Sequence, residues 1–281
     1  YRDAEEEGEV PEQLVQAGWE IGLLPTAVPE AYGGFGEHSS VTGALAFEEL
    51  AWGDLAATLA IMTPNLLAVP VMLCGTEAQR DAYLPACCQD APPKVTAALT
   101  EPVVQFSPYR LKTTAVRDGD TYVLNGAKSF VPLADEAETI LLYANEDGHT
   151  QAFLVPAGTP GMKVDKRDKL MGVKALSTNF ITLADCRVPA ENRLGGPAGI
   201  DFSLILNHSR VALGAAAVGL ARAGFEYARD YAKQRVQFGE PIAHRQSIAF
   251  MLADMATEVD EARLLVWEVA WLLDQGKDAT R

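Results

Sequence analysis

Cysteine is scarce in this chain of 281 residues: four in all, at Cys74, Cys87, Cys88 and Cys186. None stands in a CxxC pair or at Cys/His metal-ligand spacing, so these residues encode neither a redox dithiol nor a zinc site. The pattern fits reduced thiols in the cytoplasm or another reducing intracellular compartment. Basic residues are outnumbered, 23 Lys and Arg against 38 Asp and Glu, for a formal charge of −15. That balance excludes a nucleic-acid binder, whose affinity rests on many phosphate contacts. It leaves room for a phosphate-bearing small ligand, which needs only a few cations or backbone N–H groups. The four histidines, His38, His149, His208 and His244, are scattered and do not suggest a metal cluster. No secretory leader is visible: residues 3–9, from Asp3 to Glu9, are acidic where a signal peptide needs positive charge. The first residue is Tyr1 and not Met, so further sequence is expected ahead of it. No GxGxxG after a strand, GxxxxGK[ST], HExxH or GxSxG occurs. Internal repeats and low-complexity segments are absent as well.

What is present is ample core material, with 48% apolar and 22% charged residues, ordinary for a folded chain. The uncharged stretch Leu55–Thr76 is long enough to cross a bilayer, but Pro64-Asn65 and Pro70 interrupt it and Thr58, Thr63 and Thr76 are scattered through it. It reads as two buried helices, with no membrane span. Residues 10–90 read as helical, with Pro11 at a first helical position, and Ser39-Ser40 and Thr76 as N-caps. Residues 94–190 change period. Strands are predicted over Lys94–Thr100, Thr139–Ala144, Gln151–Pro156 and Thr178–Leu183. A hairpin is predicted from Lys112–Val116 and Thr121–Leu124 about Asp118-Gly119-Asp120, with a second tight turn at Asn125-Gly126. Residues 199–281 return to helix. Leu204, Val211, Ala215, Val218 and Phe225 lie roughly on one face, and Ile248, Met251, Leu252, Met255, Val259, Ala262, Val266 and Val269 follow 3/4 spacing on another. The fold class is therefore α+β. An N-terminal α-helical domain (1–93) precedes a central antiparallel β-barrel or sandwich (94–193) and a C-terminal α-helical bundle (194–281). Two long striped helices are not stable alone. Their partners are expected in the rest of the chain, in another subunit or in sequence beyond Arg281.

Six ordered strings are more specific. They are Gly22-Leu-Leu-Pro-Thr-Ala-Val-Pro29-Glu30-Ala-Tyr32-Gly33-Gly34, then Cys74-Gly75-Thr76-Glu77-Ala78-Gln79-Arg80 with Tyr83-Leu84-Pro85, then Ala98-Leu99-Thr100-Glu101-Pro102. Tyr122-Val-Leu-Asn125-Gly126-Ala-Lys128, Asp185-Cys-Arg-Val188-Pro189-Ala-Glu191-Asn192, and Arg235-Val-Gln237-Phe238-Gly239-Glu-Pro241-Ile242 with Gln246 follow. Together they resemble the acyl-CoA dehydrogenase family, in order and over the whole chain, and Ile248–Ala256 looks close to its medium-chain type.

The resemblance implies an FAD-dependent oxidoreductase of fatty acid metabolism. A base takes the α-proton of an acyl-CoA substrate while the β-hydride passes to flavin N5, the cofactor carrying the hydride chemistry. By the same resemblance Leu99 and Thr100 hold the flavin pyrimidine edge, and Phe130, Val131 and Pro132 form the wall beside the ring. Arg235, Phe238 and Gln246 reach FAD, the Arg at the pyrophosphate of a neighbouring subunit, for which its planar fork of donors is suited. A homo-oligomer, dimer or tetramer, follows, with an electron-transfer flavoprotein as electron acceptor. Asn207, Ser209 and Arg210 align with positions near the acyl-CoA site. Ser209 stands where the isovaleryl-type enzymes place a Glu base, and a hydroxyl cannot replace a carboxylate without an activating partner. The medium-chain type carries its Glu downstream, so the catalytic base is expected beyond Arg281; Glu101 matches a structural Glu.

Two departures stand out. Val103-Val104-Gln105-Phe106-Ser107 replaces the family's Gly-x-Gly-Ser-Asp, and Phe106 at the substrate site offers neither close backbone approach nor a hydroxyl. Phe130-Val131-Pro132 replaces Trp-Ile-Thr. Phe130 still covers a flavin face, but Pro132 brings no hydroxyl and no N–H to N5. These departures keep two further readings open: a non-catalytic or flavin-poor partner subunit of a heteromeric complex, and an oxygen-using flavoenzyme of the same fold.

Overall fold

A computed structural model describes residues 6–280. Asp3, Ala4 and Glu5 of the acidic start, and Arg281, lie outside them. From Glu12 onward the helices are α1 (Glu12–Trp19), α2 (Leu23–Ala27), α3 (Ser40–Gly53), α4 (Leu55–Met62), α5 (Asn65–Cys74), α6 (Glu77–Tyr83), α7 (Phe202–Gln234) and α8 (Gln246–Asp274). The strands are β1 (Val95–Ala98), β2 (Thr114–Asp118), β3 (Thr121–Pro132), β4 (Thr139–Glu146), β5 (His149–Pro156), β6 (Met162–Arg167), β7 (Thr178–Pro189), β8 (Val236–Gln237) and β9 (Glu240–Pro241). They form two compact units. One holds the chain through His38 together with Leu59–Ile205; the other holds Ser39–Thr58 and the chain from Leu206.

In the first unit, Thr76 and Gln79 cap α6 reciprocally. Gln79 N donates to Thr76 Oγ1 at 3.2 Å and Thr76 N to Gln79 Oε1 at 3.1 Å. The same Gln79 amide donates to the carbonyls of Glu191 and Arg193, both at 2.9 Å, and so pins α6 to the segment after β7. Pro11 is the N-cap of α1 and not its first helical residue. Pro70 does not break the apolar stretch. It lies buried inside α5, where it removes a single helical hydrogen bond. The break falls instead at Pro64, between α4 and α5, which are bent by 43° to each other. Among the described residues α7 is the one single helix long and apolar enough to cross a membrane.

The sheet has the order β1-β4-β2-β3-β7-β6, with β5 on the other side of β4. It is mixed: β1 runs parallel to β4, while β2–β3, β3–β7, β4–β5 and β6–β7 are antiparallel. Leu124, Val131, Ile140, Leu142, Phe153, Val155 and Ile181 fill its core, and the Tyr122 ring tilts on Phe153 at 5.0 Å. Asn125-Gly126 is not a turn. The strand β3 runs straight through it, with a bulge between Leu124 and Gly126 in its pairing with β7. Gly126 has φ +147°, and a Cβ there would sit 2.6 Å from Thr113 Cα, so the glycine serves close backbone approach.

In the second unit, Ala44 of α3, Val211 and Ala215 of α7 and Ala270 of α8 form the buried seam. Behind it Glu48, 3% exposed, takes Arg222 Nη1 at 3.0 Å and Arg263 Nε at 2.9 Å, joining α3, α7 and α8. The Asp274 carboxylate caps α3 from the end of α8, accepting from Ser40 N at 2.5 Å, Ser39 Oγ at 2.8 Å and Val41 N at 3.2 Å. Asp274→Ala is expected to cost about 1 kcal/mol, the usual worth of such a cap, read as a lower urea midpoint. Apolar side chains remain exposed on both long helices, among them Leu213, Leu220 and Tyr227 of α7 and Phe250, Leu264 and Leu265 of α8.

Candidate functional site

The residues after β1 and the last residues of β3 are bound together by a buried ion pair. Lys128 Nζ lies 2.9 Å from Glu101 Oε1 and donates to Leu99 O at 3.1 Å, with the two side chains 0% and 2% exposed. The Glu101 carboxylate also accepts the backbone N–H of Lys112 at 2.6 Å and of Thr113 at 2.8 Å. Burial pushes the Glu101 carboxyl up, but hydrogen bonds from Thr113, Lys112 and Lys128 outweigh it and hold the group below the usual carboxylate range. Burial drives the Lys128 ammonium down to about 8 against the pull of Glu101. With both oxygens engaged, Glu101 is an anchor and not a proton acceptor.

One residue further the strand distorts. Ser129 N donates to Thr100 O at 2.9 Å, and the pairing of β3 with β7 slips between Lys128 and Val131. Phe130 sits at φ +54° with its side chain 57% exposed. A left-handed aromatic residue costs on the order of 1 kcal/mol, and an exposed ring returns little of it through packing. Ser129 beside it is 6% exposed, and its Oγ has no hydrogen-bond partner. Such an orphan costs about 1–3 kcal/mol. The side chain of Val131 belongs to the sheet core at 1% exposure, and Pro132 O accepts from Thr96 Oγ1 at 2.7 Å. Leu99, Thr100, Phe130, Val131 and Pro132 are thus brought together, with only Phe130 offering a largely open side chain.

Phe106 lines an open pocket of about 750 Å³ with Ser107, Tyr109, Arg110 and Lys112. In the second unit Asn207, Ser209 and Arg210 occupy one turn of α7. Asn207 is 8% exposed and donates to Thr280 Oγ1 at 3.4 Å, Ser209 is half-buried and Arg210 exposed. Arg235, Phe238 and Gln246 flank the connection between α7 and α8. There β8 and β9 pair around a turn in which Phe238 (φ +55°) and Gly239 (φ +84°) are both left-handed, the pattern of a tight hairpin. Phe238 is 93% exposed; the Arg245 guanidinium stands 5.7 Å from its ring and pairs with Glu240 at 3.1 Å. No cluster of metal-ligating side chains occurs among the described residues. Sequence reading missed the orphaned Ser129 hydroxyl, the Arg245 stack and the Lys128–Glu101 pair, whose members stand 27 residues apart with no spacing to announce them.

Helices, then a curled mixed sheet, then a long helical pair make a three-part α+β fold. Its parts match three domain families in succession: acyl-CoA dehydrogenase, N-terminal domain over residues 1–91, middle domain over 96–186 and C-terminal domain over 202–281. The chain belongs to the acyl-CoA dehydrogenase family. It is 38% identical over 284 residues to the probable acyl-CoA dehydrogenase YngJ of Bacillus subtilis, covering 98% of this chain and 74% of that protein. It is 35% identical to the caffeyl-CoA reductase-Etf complex subunit CarC of Acetobacterium woodii, over 99% of this chain and 75% of that one. Among solved structures, butyryl-CoA dehydrogenase from Megasphaera elsdenii superposes with a TM-score of 0.85 at 32% identity, covering 97% of this chain and 74% of that chain.

Proposed function

We propose that this protein is an FAD-dependent acyl-CoA dehydrogenase, introducing an α,β double bond into an acyl-CoA thioester. The observation that carries the reading is Phe130: an aromatic ring kept exposed by a left-handed backbone at a strand bulge, beside a buried hydroxyl with no partner. Local strain without a packing return is a mark of a ligand clamp. A flat ring with a polar edge suits both features, so the residues present fit an isoalloxazine. Bound there, FAD supplies the acceptor for the substrate's β-hydride.

The chain's own part is to bind, orient and exclude water. Phe130 covers the ring, and the Lys128–Glu101 anchor fixes the strand ends that carry Leu99 and Thr100. Arg235, with Phe238 and Gln246, is assigned to the FAD of a second copy, which makes the working form a homo-oligomer. Arg110 and Lys112, exposed beside Phe106, supply positive charge for a phosphate-bearing substrate in a chain that is otherwise acidic. The carboxylate base for the α-proton is assigned to none of the described residues. The relative named as a subunit of an Etf complex supports an electron-transfer flavoprotein as electron acceptor.

The test is spectroscopic. Purified protein is expected to be yellow, with flavin near one per subunit, and to bleach anaerobically on addition of an acyl-CoA from a chain-length series. A colourless protein that stays apo after FAD addition overturns the reading and leaves the flavin-poor partner subunit, for which Pro132 and the Val103–Ser107 segment speak. Flavin that no acyl-CoA bleaches overturns the dehydrogenation while keeping the cofactor.

A further inference from the structure

Three buried side-chain atoms among the described residues lack a hydrogen-bond partner: Asn65 Oδ1, Arg222 Nε and Ser129 Oγ. Asn65 is only half-buried, at the start of α5. The other nitrogens of Arg222 hold Glu48 and Glu49, and its Nε stands 4.0 Å from Glu226. Ser129 has no such account. It is 6% exposed, and alanine would fill nearly the same volume without leaving a hydroxyl unsatisfied.

The surroundings narrow what the hydroxyl is for. Around it the fold has already used several backbone polar groups of the two strand ends. Leu99 O takes Lys128 Nζ, Thr100 O takes Ser129 N, Pro132 O takes Thr96 Oγ1, and Pro132 has no N–H to give. Val131, turned into the core, has an apolar side chain. Ser129 Oγ is therefore the buried side-chain group at this bulge left to meet a ligand. It adjoins Phe130, whose exposed ring and left-handed backbone mark the ligand's place. A hydroxyl both donates and accepts, which matches a heteroaromatic edge carrying carbonyl oxygens and ring nitrogens.

We propose that Ser129 is a cofactor-binding residue whose hydroxyl hydrogen-bonds the polar edge of the flavin ring covered by Phe130. The inference rests on the FAD reading above and adds a contact to it. It carries an unusual signature. The hydroxyl is a liability in the empty protein and an asset in the loaded one, so removing it moves stability and affinity in opposite directions.

The experiment compares wild type with Ser129→Ala. After the flavin is stripped, apo Ser129→Ala is expected to unfold at a higher urea concentration than apo wild type. Titrated with FAD, it is expected to bind about tenfold more weakly, which is about 1.4 kcal/mol, and its bound flavin should show a displaced visible absorption maximum. Equal FAD affinity and an unchanged flavin spectrum in Ser129→Ala overturn the inference and leave the FAD reading standing. An equal or lower apo urea midpoint overturns it too, because the hydroxyl then already has a partner without flavin. Wild type that takes up no FAD at all overturns both.

Discussion

Lys128→Met should destabilise the first unit by about 3–5 kcal/mol, the usual result of removing one member of a buried ion pair. The methionine fills the space of the lysine stem. What it cannot do is answer the Glu101 carboxylate, which stays at 2% side-chain exposure with the amides of Lys112 and Thr113 and the Thr113 hydroxyl but no cation for company. The pair's own net worth is much smaller than that figure, because two buried charges have each been taken from water. Lys128→Met combined with Glu101→Gln is therefore expected to recover most of the loss, and urea unfolding of wild type, both single variants and the double variant gives the coupling directly. A Lys128→Met midpoint equal to wild type would show that Glu101 is solvated.

Acid separates the two partners. The folded pKa of Glu101 lies below its ordinary 4.5, so its contribution is complete above that value and is lost as pH falls through the folded one. Glu101→Gln should flatten that part of the stability profile. Lys128 acts in the same direction, in a higher pH window. Its folded value of about 8 lies below the ordinary 10.5, so between the two the unfolded chain holds more protons, and this group makes stability rise with pH across that window.

Gly219→Ala is the second large effect expected, and it runs against helix propensity. In the middle of an exposed helix the change would stabilise by about 1 kcal/mol. Here an added Cβ would lie 2.2 Å from Glu48 O and 3.0 Å from Trp52 N, both backbone atoms of α3. A backbone wall cannot rotate aside as a flexible side chain does, so α3 must shift, and overpacking of this kind costs about 1–3 kcal/mol. Any shift also strains the ion pairs that Glu48 makes with Arg222 and Arg263. The net expectation is a loss of about 2 kcal/mol, with faster amide exchange over Ser40–Gly53. A stabilised Gly219→Ala would mean that α3 and α7 are free to part.

What the sequence discloses and what it hides divide along a physical line. The caps at Ser39 and Thr76, the stripes of α7 and α8, and most of the strands depend on neighbours within a few residues, and composition records such neighbours. The parallel pairing of β1 with β4 depends on segments some 44 positions apart, Val95 against Thr139, and no local pattern announces it. Asn125-Gly126 misleads for a related reason. The dipeptide favours a turn locally, yet long-range pairing with β7 keeps the strand extended and spends the glycine on a bulge. The half-exposed β6 lacks clear alternation and passes unread. At the site, Leu99, Thr100 and Phe130 are legible through family strings, whereas the Ser129 hydroxyl is conspicuous only once burial and missing partners can be seen together.

The joint at Glu48 sets a timetable for the newborn chain. Glu48 meets Arg222 174 residues later and Arg263 215 residues later. At ordinary elongation speeds, α3 must wait on the order of ten to forty seconds before its partners leave the ribosome. During that interval its inward-facing side chains, Ala44 and Phe47 among them, have no seat of their own. The exposed interval closes when translation reaches α8, so premature termination ahead of Arg263 strands an early segment and makes it a target for chaperone or protease.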